Sequence, residues 1–228
     1  MTPINVPKQT PLYHAIQKER YLRQQQIKDI QDHTHRDLIA YVANVQHPEA
    51  GIGQSDVLAF GDFLQDKAGA DLDLLLQSPG GDIDVAEKLI YMCRNNTKTF
   101  RVIVAESAKS AATLIALGAD EIVMGDTSEL GPIDPQIVVT TAGGQTIDRP
   151  AQSFLDGLRA IQEETDRTNG KLSPVYFPLL QQLDPALIDF CKKAIRRSQR
   201  FAEKRLSYSQ CKGKRRRAKT IAKRLADT

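Results

Sequence analysis

The chain has 228 residues, with 31 Lys and Arg against 28 Asp and Glu and 41% hydrophobic residues. That supply of apolar side chains is enough for one substantial core, which excludes wholesale disorder, a collagen-like chain and a disulfide scaffold. The net charge of +3 conceals a division, because residues 192–228 hold fifteen Lys/Arg and two acids while residues 1–191 hold sixteen and twenty-six, so a body at −10 precedes a tail at +13.

Residues 1–34 read as a polar N-terminal segment. Its helix, over 11–31, has only Leu12, Ile16, Leu22, Ile27 and Ile30 to bury, so it needs a partner to be stable. An α/β unit follows over 35–149. The apolar run at 37–45 predicts a first strand and 57–65 a helix. Leu72 to Leu76 is a short apolar run that stops at Ser78-Pro79-Gly80-Gly81, and residues 83–93 then show helical spacing. The cycle repeats with a β-branched run at 100–105, a helix over about 110–117 and a short strand at 121–124. Alternation at this spacing predicts a mainly parallel sheet with helices on its faces. From Pro150 the strand signals vanish: 150–191 read as a helical part of the core, with helices over 151–165, 174–183 and 185–206, and 192–228 as a basic helical tail. The last helix ends within one turn of Thr228, which leaves open whether the chain was cut there.

Cys93, Cys191 and Cys211 are odd in number and lack metal-ligand spacing, which fits reduced thiols and a cytoplasmic location. No export segment or membrane span is expected, and His33 and His35 have too few partners for a metal site. The run Lys214-Arg215-Arg216-Arg217 has the charge for nucleic acid or an acidic partner, but no interleaved aromatics for stacking. A solvated face, or a patch that docks on the acidic body of a neighbouring subunit, explains it at least as well.

Two segments place small residues and backbone amides where parallel strands end, the usual ligand-binding edge of such sheets. The paired glycines of Ser78-Pro79-Gly80-Gly81-Asp82 fit either a tight turn or a turn that aims an N–H at a developing oxyanion. Ser110, at the first turn of an apolar helix, fits either an N-cap or a nucleophile favoured by the helix dipole.

LLLQSPGGDIDVAEKL followed by AKSAATLIALGADEIVMGDTSELGPIDPQ resembles the Clp protease and signal peptide peptidase A superfamily, and within it the serine dehydrogenase proteinases, over about residues 35–160. The resemblance implies a ClpP/crotonase-like fold and a cytoplasmic, homo-oligomeric serine peptidase acting on peptides or proteins without a cofactor. It makes Ser110 the nucleophile, Gly81 and the Ala111 backbone the oxyanion hole, and Gly80 the point of close approach to substrate. Asp134, in the loop beside the site, reads as a turn-stabilising carboxylate.

All four histidines precede Ser110, so the Clp order of serine then histidine is absent. A lysine base is the related solution, and Lys171 is the single lysine between Ser110 and Cys191. Where the related lysine is expected, shortly after Pro150, stand Gln152, Ser153 and Asp156. Lys109 adjoins the serine but does not face it. The departure leaves a second possibility, a scaffold that keeps the fold without a working base. Acyl-thioester chemistry of the crotonase kind is a third.

Overall fold

The computed structural model describes residues 12, 16–44, 47, 50–140, 144–181 and 183–226. The strands β1 (Asp37–Val42), β2 (Asp71–Ser78), β3 (Thr99–Ala108) and β4 (Glu121–Met124) pair in that order, all parallel, and the short β5 (Glu129–Leu130) adds to the far end of β3. The expected parallel sheet with flanking helices holds. Leu72, Leu74 and Leu76 of β2 are almost wholly buried, as a strand with neighbours on both sides requires. Near the end of β2 its register against β3 shifts between Leu76 and Ser78, where the chain leaves the sheet for the glycine turn.

Before the sheet lies α1 (Lys18–Thr34), which has no buried residue and ends in a left-handed His35. Val45, the expected end of the first strand, lies outside the described residues. The next three helices are α2 (Gln54–Leu64), α3 (Ile83–Asn96) and α4 (Ala111–Gly118). Asp82 caps α3, its carboxylate accepting from the Asp84 and Val85 amides. Every residue of α4 is buried.

An antiparallel hairpin of β6 (Gln136–Thr140) and β7 (Thr146–Pro150) stands apart from the main sheet and was not expected from the sequence. Beyond it come α5 (Ala151–Arg167), a 3-10 turn (Pro174–Tyr176), α6 (Phe177–Gln181), α7 (Pro185–Tyr208) and α8 (Arg215–Ala226). No described helix is long and apolar enough to cross a membrane.

The boundary expected after Cys191 falls inside α7, and the basic tail is not outside the core. Phe201, Ala202 and Leu206 of α7 and Ala218, Ala222 and Ala226 of α8 join the same buried cluster as α4. On this face α8 presents alanines at i, i+4 and i+8, which lets it pack closely while its Arg and Lys point outward. Arg197 pairs with Asp84, and Arg205 approaches Glu87 at 3.6 Å, so the tail meets the acidic body of its own chain.

One charge lies inside the sheet. Asp73 on β2 is wholly buried, and Arg36 Nε donates to it at 2.5 Å while Arg101 Nε and Nη2 donate at 2.9 and 2.6 Å. Arg36 also holds the Leu72 carbonyl and the Thr99 hydroxyl, tying the chain before β1 to β2 and β3. Removing one member of such a set strands the others, at a typical cost of about 3–5 kcal/mol. Asp73→Ala is therefore expected to lower the unfolding free energy by about that amount in urea titration, and a loss below about 1 kcal/mol, the level of an exposed pair, would show the set to be dispensable.

Candidate active site

Strand β3 delivers Lys109 and Ser110 to the carboxyl end of the sheet, and α4 begins at the next residue. Ser110 occupies the N-cap position, yet its side chain makes no capping hydrogen bond. Its backbone lies at φ 49° and ψ −120°. A non-glycine residue at positive φ is strained, by about 1–3 kcal/mol, and persists only where its surroundings impose it.

Those surroundings are visible. The Lys109 amide donates to the Ser78 carbonyl at 3.0 Å and the Ser110 amide to the Pro132 carbonyl at 2.9 Å, so the serine is clamped between the glycine turn and the 130–135 loop. The loop is tied back in turn: the Gly131 amide donates to Ala108 at 2.8 Å, and the buried Thr113 hydroxyl lies 2.7 Å from the Ala108 carbonyl and 3.0 Å from that of Gly131. The Ile133 amide donates to the Leu225 carbonyl at 2.8 Å, so α8 braces the same loop from behind.

The glycine turn approaches from the other side. At Gly80, φ is +108°, and a Cβ there would stand 2.6 Å from Ser110 Cβ and 2.8 Å from the Lys109 carbonyl. Gly81, at φ +144°, lies against Ile52, whose amide donates to the Gly80 carbonyl at 2.7 Å and whose carbonyl accepts from the Asp82 amide at 2.9 Å. Ile52 is a support that the sequence did not single out. Among the described residues neither the Gly81 nor the Ala111 amide donates a hydrogen bond. A Cβ on Gly80 would lie 3.2 Å from the Ala111 nitrogen, which sets that amide against the turn carrying Gly81. Two free donors and an uncapped hydroxyl thus share one corner of the fold.

Gly81 and Ser110 line a cavity of about 660 Å³ together with, among others, Pro79, Pro132 and Asp134. Lys109 also lines it, but its ammonium lies 2.5 Å from Glu129 and its stem runs over Gly131. Lys171 does not line the cavity; it sits exposed in the turn after α5, where its carbonyl accepts from the Thr168 hydroxyl. His33 and His35 are exposed at the end of α1, and His47 is also outside the lining; His14 lies outside the described residues.

Asp134, read from the sequence as a turn-stabilising carboxylate, ties its loop to α5. It is 3% exposed. Its Oδ1 accepts from the Gln152 amide of α5 at 3.3 Å, and its buried Oδ2 has no hydrogen-bond partner. Burial pushes the carboxyl above the ordinary aspartate range; the Gln152 amide opposes it, and the negative charge of Asp156 adds a smaller push in the same direction as burial.

Residues 64–166 match the family model of the ClpP-like SDH-type serine proteinases, a stretch that carries the glycine turn, Ser110 and the 130–135 loop. The resemblance read from those motifs is borne out. Two uncharacterized proteins of Methanocaldococcus jannaschii are each 32% identical to the chain, one over 130 residues (57% of this chain and 37% of the relative) and one over 155 residues (68% and 44%). The chain spans less than half the length of these curated relatives. Among solved structures, two variants of the 1510-N membrane-bound stomatin-specific protease align. The serine-to-alanine variant has a TM-score of 0.38 and 21% identity over 57% of this chain and 60% of that one. The lysine-to-alanine variant, bound to a substrate peptide, has a TM-score of 0.37 and 23% identity over 55% and 56%.

The strain at Ser110 has a direct consequence for stability. Glycine adopts positive φ without penalty, so Ser110→Gly is expected to be more stable than Ser110→Ala by about 1 kcal/mol or more. Chemical denaturation of both variants checks this, and an alanine variant at least as stable as the glycine one would remove the strain from the description.

Proposed function

We propose that the chain is a serine peptidase in which Ser110 is the nucleophile and the Gly81 and Ala111 amides form the oxyanion hole. The observation that carries this reading is the conjunction of a strained, uncapped Ser110 with two amides that donate to nothing among the described residues. The family match over residues 64–166 supports it.

Ser110 Oγ attacks the carbonyl carbon of a peptide bond and gives up its proton to a base, and the carbonyl oxygen becomes negative. Gly81 and Ala111 donate to that oxygen, and the dipole of α4 adds its positive end. Losing one such donor typically costs about 2.7–4 kcal/mol of transition-state stabilisation. Collapse of the intermediate breaks the C–N bond, and the departing amine takes the proton. Water then attacks the acyl-serine, releases the new carboxyl terminus and restores the hydroxyl.

Gly80 serves by lacking a side chain, since a Cβ would push Ser110 out of place. The exposed position of Lys171 favours no Ser–Lys dyad within one chain, and a lysine base there would need the 168–172 turn to be carried to the cavity. The scaffold reading predicts an unreactive serine, so reactivity decides between them. A fluorophosphonate probe is expected to label the wild-type chain once, at Ser110, and to leave Ser110→Ala unlabelled. Label that persists in the alanine variant would contradict the assignment.

A further inference from the structure

We propose that the basic cleft along α7 is a second part of the substrate site and holds an acidic stretch of the peptide to be cleaved. The proposal rests on the serine-peptidase reading and adds a substrate class to it.

One face of α7 builds the cleft. Arg196, Arg200 and Lys204 stand at i, i+4 and i+8, one above the other, and all three are exposed. Like charges at this spacing repel. Among the described residues none of the three has an ion-pair partner, because the neighbouring acids are taken: Asp84 pairs with Arg197, Glu87 is approached by Arg205 and Glu203 by Arg215. The three side chains are shared by adjoining cavities. One of about 370 Å³ is lined by Arg196, Arg200 and Lys204, one of about 590 Å³ by Arg200 and Lys204, and one of about 290 Å³ by Arg196 and Arg200. A row of cations without counterions, beside open space, fits a ligand that carries successive negative charges.

Position selects the ligand. Ile83, the half-buried first residue of α3, lines both the 370 Å³ cavity and the 660 Å³ cavity that contains Ser110 and Gly81. The pair between Arg197 and Asp84 holds α7 against the start of α3, three residues beyond Gly81. A peptide that runs from Ser110 over Ile83 therefore enters the basic cleft, where its Asp and Glu carboxylates accept charge-assisted hydrogen bonds from the guanidinium groups. Nucleic acid suits the surface less well. Tyr208 is the one exposed aromatic residue that lines these three cavities, so successive bases find no row of rings on which to stack.

The test uses the full chain and two fluorescein-labelled peptides, one of ten glutamates and one of ten glutamines, with binding read by fluorescence anisotropy. Arg196 to Lys204 span about 12 Å of helix and ten extended residues about 33 Å, which leaves length for the cavity beyond Ile83. The glutamate peptide is expected to bind at least about 10-fold tighter than the glutamine peptide, and to lose that advantage in about 0.5 M salt. It is also expected to slow the modification of Ser110 by diisopropyl fluorophosphate. The triple variant Arg196→Gln, Arg200→Gln, Lys204→Gln is expected to lose both effects. Lys18→Gln, Arg20→Gln, Lys28→Gln, which removes the same charge from α1, is expected to keep them. Equal binding of the two peptides, equal loss in the two triple variants, or tighter binding of a ten-nucleotide oligothymidylate would overturn the proposal. A glutamate peptide that binds without slowing the modification would also overturn it, since the cleft would then be separate from the serine, and the peptidase reading would stand. A wild type whose Ser110 takes no label would remove both.

Discussion

The structure turns on one backbone conformation, Ser110 at φ 49° and ψ −120°. The strain is held from three directions. Gly80 packs where a methyl group would collide, the Pro132 carbonyl takes the Ser110 amide, and the Ser78 carbonyl takes that of Lys109. Burial of all eight residues of α4 offsets the cost and fixes the axis along which the serine is presented. If Ser110 relaxed to an ordinary N-cap, its hydroxyl would turn to the helix amides, and the arrangement on which the proposed site rests would be lost.

Much of this corner was legible in the sequence because it depends on residue types that few other arrangements require. Leu72 to Leu76 followed by paired glycines fits a buried strand that ends in a close backbone approach, and Ser110 followed by small and apolar residues fits a helix buried from its first turn. Other parts were not legible, for physical reasons. The β6–β7 hairpin mixes buried Ile137 with exposed Val138, and Pro at both of its flanks looks like loop punctuation. The docking of α8 depends on Ala218, Ala222 and Ala226, which a count of charges conceals. Only its place in the chain points to Lys171, and proximity in sequence order does not bring an exposed turn to a cavity. Asp134 was present in the motif, but burial and an unpartnered oxygen are properties of packing alone.

The charge division takes on a different meaning once α7 and α8 are seen in the core. The acidic and basic parts are two sides of one packed unit. Arg205 shows how they are joined: its guanidinium lies 4.4 Å from the Tyr91 ring centre and 5.0 Å from that of Phe201, with Glu87 beyond. Through the bond between Ile133 and Leu225 the tail also reaches the loop that clamps Ser110. The tail therefore braces the proposed site from behind.

The most direct measurement is a crystal structure of the protein inhibited by a peptide boronate. The expected result is a covalent bond from boron to Ser110 Oγ, with one boronate oxygen at about 2.7–3.1 Å from both the Gly81 and Ala111 nitrogens. A boronate bound elsewhere, or one on Ser110 whose oxygens point away from both amides, would contradict the assignment of this corner as an acyl-transfer site.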